Sequence, residues 1–232
     1  MQTEIIDRVR VFGERPEAVE RIAPEYFDSW FVAEHLARYK WASRSVRGRV
    51  VLDVACGTGY GASILIAAGA GKVVSLDVSR DALRFGYSRY SMLATCCDAQ
   101  ALPVGTGSCD TVVSLETIEH LSDPAEFARE LNRVLRPGGE VFLSTPNAVR
   151  SPGTNPYHLN EMTLDELRGL LQGSGFRVTG VWGQHWELPP GVWHKIRGLR
   201  AVLYKIERLP IVTSLALTGM RPFYWCIRAA RN

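Results

Sequence analysis

Four short segments of this sequence hold residue types that could do chemistry together. The first is VLDVACGTGYGA at 51–62, an apolar run that breaks into Gly57, Gly59 and Gly61. Glycines serve where the backbone must approach a ligand closely or adopt unusual dihedrals. A helix beginning just after them would offer free N–H groups to a polar or anionic ligand. The second is Asp77, twenty residues after Gly57 at the end of the next apolar run. A carboxylate there can accept both hydroxyls of a ribose. The third is Asp98 with Ala99 and Gln100, which can reach an adenine edge. The fourth is Glu116, Glu119 and His120, joined by His158 further along.

Positions 116, 119 and 120 would share one face if the segment is helical. Two carboxylates and an imidazole in that arrangement could hold a divalent cation such as magnesium. His158 could add a fourth ligand, because loops after neighbouring parallel strands converge at one sheet edge. Without a metal, His158 or His120 would be the general base, and Glu119 a cap or an ion-pair partner.

The glycine loop alone does not choose a cofactor. Gly57-x-Gly59-x-x-Ala62 also fits a dinucleotide fingerprint, which would point to a nicotinamide-dependent oxidoreductase. Asp53 argues against that reading, because it sits inside the first strand where a dinucleotide site has apolar residues. The later acidic positions argue the same way.

The elements that must position these residues follow from the hydrophobic pattern. Short β-branched runs occur at 50–55, 72–77, 92–97, 110–115 and 140–145, with helical segments between them. That alternation predicts a parallel sheet covered on both faces. Ser122-Asp123-Pro124 and Thr163–Glu166 sign two helix starts. Arg136-Pro137-Gly138-Gly139 predicts a tight turn into the following strand. Two late runs, 175–186 and 223–231, lack a helical crossover of the usual kind and predict an antiparallel pair at the sheet edge.

The ordered set DVACGTGYG, SLD, CCDAQALP, DTVVSLETIEHL and LRPGGEVFLSTPN resembles the class I S-adenosylmethionine-dependent methyltransferases over roughly residues 48–186. The resemblance implies a Rossmann-like α/β fold, with a seven-stranded, mostly parallel sheet and a reversed last strand. It implies Gly57 and Gly59 against the cofactor, Asp77 on its ribose and Asp98 with Ala99 at its adenine. Cofactor contacts are further expected at Asp53, Ala55, Val78, Gln100, Leu115 and Glu116. The Glu-x-x-Glu-His spacing is similar to that of the ubiquinone-pathway O-methyltransferases. It is also similar to that of the small-RNA 2′-O-methyltransferases, where a later histidine completes a metal site. The expected activity is methyl transfer from S-adenosylmethionine to a hydroxyl of a sugar, quinone, phenol or specialised metabolite. Metal-assisted methylation of an RNA ribose is the alternative.

Composition narrows the class further. The 232 residues are 46% hydrophobic and 22% charged, a globular balance with room for a full core. The net charge of +3 is too small to indicate nucleic-acid binding. No signal peptide or membrane-spanning run is read from the sequence, so a cytoplasmic location is expected. The five cysteines are read as small buried apolar residues. We expect one domain: a helical cap at 1–48, a cofactor-binding core at 49–186, a helical lid at 187–221 and a last strand at 222–232. In the cap, His35, Arg38 and Tyr39 could touch the cofactor carboxylate or the acceptor. In the lid, the basic amphipathic stretch 191–210 could rest on a membrane surface or pack as an insertion.

Overall fold

A computed structural model describes residues 29–186, 211–212 and 222–232. Expectations for residues 1–28 and for the lid apart from 211–212, including the basic stretch 191–210, lie outside these described residues.

The elements run α1 (Ser29–Ala42), β1 (Val50–Val54), α2 (Tyr60–Ala67), β2 (Lys72–Asp77), α3 (Arg80–Tyr90), β3 (Ala94–Cys96) and β4 (Cys109–Leu115). They continue with α4 (Pro124–Val134), β5 (Leu135–Pro146), α5 (Leu164–Gly173), β6 (Phe176–Trp186), β7 (Ile211–Val212) and β8 (Pro222–Arg231). The strands form one sheet in the order β3-β2-β1-β4-β5-β8-β6-β7. The pairings from β3 through β5 are parallel, and β8 is antiparallel to both β5 and β6. This is the expected seven-stranded arrangement with the last strand reversed. An eighth, two-residue strand is added at the edge, where Ile211 pairs with Gly183. It falls in the stretch expected to be a helical lid.

Alternation along the strands builds two cores, one on each face. Val51, Val73, Val113 and Phe142 face α1, α2 and Leu83 of α3. Leu52, Leu76, Val112, Val141 and Leu143 face Phe127 and Leu131 of α4 and Leu167 and Leu171 of α5. A period of two makes this division unavoidable for near-continuous apolar strands. It also places Asp53, two residues after Val51, on the inner face beneath α1.

The helix starts form as their residues predict. Asp123 caps α4 through the Glu126 N–H, with Pro124 in the first turn. Thr163 and Glu166 make a reciprocal capping box on α5. The Arg136–Gly139 segment is less simple than a turn. It is a bulge inside β5: pairing runs Cys109 with Leu135 and resumes at Thr111 with Glu140. Arg136 ties the bulge to Asp110. No described helix is long and apolar enough to cross a membrane.

The sheet order reverses between β1 and β4, where such folds open a crevice at the carboxyl ends of the strands. Here β1 and β4 pair only as far as Asp53 with Val113. Beyond that point the Ser114 hydroxyl donates to the Val54 carbonyl at 3.0 Å, satisfying a group that the parting strands release.

Candidate active site

A cavity of about 640 Å³ opens at this switch point. Nine of the expected cofactor residues line it: Ala55, Gly57, Asp77, Val78, Asp98, Ala99, Gln100, Leu115 and Glu116. His35, Tyr39 and His120 line it as well. Asp53 and Gly59 are absent from the wall.

The three glycines of the loop have different physical reasons. Gly57 has φ +57° and borders the cavity, and a Cβ built there meets nothing within 4 Å. The site therefore keeps open space against bare backbone. Gly59 is the N-cap of α2 at φ +76°, and a Cβ there would overlap the Met92 sulfur. Gly61 lies under the Tyr39 ring, so it sets how closely α1 approaches α2. Ala55 and Glu116 follow the ends of β1 and β4 with φ +57° and +52°. Left-handed backbone at non-glycine residues is costly and collects at functional sites.

Asp77 organises the loop. One carboxylate oxygen accepts the Gly57 N–H and the other accepts the Ser79 N–H, both at 2.8 Å. Asp98 accepts the Gln100 N–H at 2.8 Å, and the Gln100 side chain is itself held by the Asp123 N–H at 2.7 Å. The loop after β3 is thus tied to the N-terminus of α4. Open space over Gly57, a wall carboxylate at Asp77 and acceptors at Asp98 fit a ribose and an adenine.

Asp53 supports the site from beneath. It is buried and accepts the Tyr39 hydroxyl at 3.0 Å, while its other oxygen has no partner. Burial raises its pKa to about 7, with Tyr39 opposing the shift and Asp77 adding to it. The folded-state value exceeds the unfolded one, so the folded chain holds the extra proton between about pH 4 and 7. Stability is therefore lost as pH rises through that window, by at most about 4 kcal/mol. We predict that Asp53→Asn, which still accepts from Tyr39, abolishes this loss. Urea midpoints at pH 5 and pH 8 check it: the wild-type drop should shrink or vanish in the variant.

Arg38 is fully buried on α1. Its Nε donates to Gln184 Oε1 at 2.5 Å and its Nη1 lies 3.1 Å from Glu116 Oε1. The guanidinium lies 4.3 Å from the centre of the Tyr224 ring. Nη2 has no hydrogen-bond partner. Desolvation works against this charge, but Glu116 and its neighbours outweigh it and keep the group protonated.

Glu116 consequently stands apart from the expected metal set. Its left-handed backbone interrupts the helix that the spacing required, and only a single 3-10 turn follows, Ile118–His120. Its carboxylate instead meets Arg38 and accepts the Ser144 hydroxyl at 2.7 Å. Glu119, His120 and His158 do come together, with one ligand atom of each within 4.8 Å of the others. The two histidine rings lie edge to face, 4.9 Å between centres. The loop carrying His158 is stitched to the turn: Leu159 N–H and Asn160 N–H both donate to the Glu119 carbonyl, and Asn160 Nδ2 donates to the Leu121 carbonyl.

Glu119 is completely buried. One carboxyl oxygen accepts the Thr145 hydroxyl at 3.0 Å and the other has no hydrogen-bond partner, although His120 Nε2 lies 4.0 Å away. Burial and the nearby Glu116 push its pKa well above the carboxylate range. His120 Nδ1 faces the Tyr157 carbonyl at 3.0 Å, and His158 Nδ1 faces Glu161 Oε1 at 2.5 Å. Both Nδ1 atoms are thus engaged. The orphaned oxygen of Glu119 and two oriented imidazoles fit a divalent cation by donor type.

Sequence reading missed Glu161, Ser144 and Gln184. Glu161 carried a faint signal, three residues after His158; the other two carried none, because strand pairing brings them in. Among the cysteines, Cys56, Cys109 and Cys226 are buried as expected. Cys96 is exposed and Cys97 half-buried, because β3 is an edge strand.

A family model described as a methyltransferase domain matches residues 52–143. A probable S-adenosylmethionine-dependent methyltransferase of Mycolicibacterium smegmatis is 39% identical over 74% of this chain and 66% of its own length. A ubiquinone biosynthesis O-methyltransferase of Caulobacter vibrioides is 30% identical over 41% of this chain and 44% of its own. Among solved structures, an S-adenosylmethionine-dependent methyltransferase of Mesorhizobium loti superposes with a TM-score of 0.60. That match has 20% identity and covers 85% of this chain and all of that one. Fold, site and relatives place the chain in the class I S-adenosylmethionine-dependent methyltransferase family. It spans just under two thirds of the length of its mycobacterial relatives and less than half of the ubiquinone-pathway one.

Proposed function

We propose that the chain binds S-adenosylmethionine in this cavity and methylates a hydroxyl of a small molecule in the cytoplasm. The acceptor class is a sugar, a quinone or phenol, or a specialised metabolite. The observation that carries the reading is one cavity whose wall holds Gly57, Asp77 and Asp98 and also His120. The O-methyltransferase relative supports oxygen as the target.

S-adenosylmethionine, when bound, supplies an electrophilic methyl on a sulfonium. Gly57 and Asp77 would hold its ribose, and Asp98 and Ala99 its adenine. Orientation of the acceptor and exclusion of water provide most of the acceleration. Nε2 of His120 or His158 takes the acceptor proton as the oxygen gains the methyl. We read residues 29–48, the described part of the expected cap, as covering the cavity. His35 and Tyr39 in the cavity wall support the cap.

The test is S-adenosylhomocysteine formation, followed by mass spectrometry over a panel of phenols, quinols and sugars. At least one of His120→Ala and His158→Ala should lower the rate of an active acceptor ~100-fold or more. No product across the panel, or full rates in both variants, contradicts the reading.

The Glu119, His120 and His158 group favours a second reading, in which a divalent cation assists. Glu119, His120 and His158 would hold it, and it would lower the pKa of one of two adjacent acceptor oxygens. A catechol, a diol or a ribose end would then be preferred. Mn²⁺ should bind the S-adenosylhomocysteine-saturated protein at one site that Glu119→Gln removes. Absence of that site in the wild type speaks against it.

A further inference from the structure

We propose that Glu161 is a positioning residue for His158, fixing which ring nitrogen the site can use. This rests on the proposed role of His158 and deepens it.

The geometry is local and closed. Glu161 Oε1 lies 2.5 Å from His158 Nδ1 and also accepts the Ser151 hydroxyl at 2.6 Å. The two side chains are mostly shielded, His158 at 17% exposure and Glu161 at 13%. A shielded carboxylate accepts the Nδ1–H far better than it tolerates a lone pair there. The neutral ring is therefore held as the Nδ1–H tautomer, with the Nε2 lone pair available. Ser151 donates to that same oxygen and so holds it in place against the ring. His120 reaches the same state by a different route, with its Nδ1 against the Tyr157 carbonyl. Such outer partners raise the basicity of the ligating or proton-accepting nitrogen. Their loss costs about 10–100-fold in metal affinity where a metal is held.

The experiment reads the ring without needing an acceptor. Long-range ¹⁵N–¹H spectra of ¹⁵N-histidine protein, with His158 assigned by His158→Gln, report the tautomer at pH 8.5. The wild type and Glu161→Gln, whose amide oxygen still accepts, should both show Nδ1–H. Glu161→Ala should show Nε2–H or a mixture. In parallel, calorimetry should find Mn²⁺ affinity at least ~10-fold weaker in Glu161→Ala, with partial recovery in Glu161→Gln. S-adenosylhomocysteine affinity serves as the control for folding. An Nε2–H ring in the wild type, or an Nδ1–H ring unchanged in Glu161→Ala, overturns the proposal. If the tautomer responds as expected and the wild type takes no Mn²⁺, only the metal reading fails. Glu161 then positions a proton acceptor.

Discussion

Arg38→Ala is expected to cost about 3–5 kcal/mol of folding stability. The guanidinium is fully buried and bonded to Gln184, and it pairs with a Glu116 carboxylate that is only 17% exposed. Removing it strands that carboxylate, empties volume between α1 and the β8 ring of Tyr224, and leaves Gln184 with one amide bond, to the Glu34 carbonyl. Arg38→Met separates the effects, since it restores volume without charge. Adding Glu116→Gln to Arg38→Met should recover much of the loss, because breaking a buried pair costs far more than replacing both members. Urea denaturation measures all three variants. A single variant within 1 kcal/mol of wild type, with the double no better, would mean that the pair is not a structural clamp.

Asp77→Ala should weaken S-adenosylhomocysteine binding at least ~100-fold. A hydrogen bond to a charged group contributes roughly 1.5–3 kcal/mol, and a ribose would bring two. The variant also leaves the Gly57 and Ser79 N–H groups without their acceptor, so the glycine loop loses its anchor as the ligand loses its partner. Asp77→Asn keeps one acceptor oxygen and should fall between. Calorimetry provides both affinities, and near wild-type binding in Asp77→Ala would remove the ribose assignment.

Much of this was legible in the sequence because it is local. Apolar strands with a period of two, glycines at a strand–helix turn and caps such as Asp123 and Thr163 announce themselves within a few residues. The cavity wall was legible for the same reason, since its expected residues lie at or just after the ends of strands. What could not be read depends on long-range placement. Gly59 and Gly61 look like ligand glycines, yet one accommodates Met92 and the other Tyr39. The spacing of Glu116, Glu119 and His120 suggested one helical face. The left-handed backbone at Glu116 and a buried arginine 78 positions earlier in the chain redirected the first of them. Gln184 reaches Arg38 across 146 positions, through a pairing of β6 and β8 that no local pattern encodes. The Tyr39 bond to Asp53 explains a carboxyl inside a strand that the sequence could only mark as unusual for a dinucleotide site.

The central claim is that the crevice between β1 and β4 is a site for S-adenosylmethionine rather than for a nicotinamide dinucleotide. Calorimetric titration of the wild-type protein with S-adenosylhomocysteine, and separately with NADH and NADPH, tests it directly. We expect saturable one-to-one binding of S-adenosylhomocysteine and no heat from either nicotinamide. Binding of a nicotinamide cofactor, or no binding of S-adenosylhomocysteine, would contradict it.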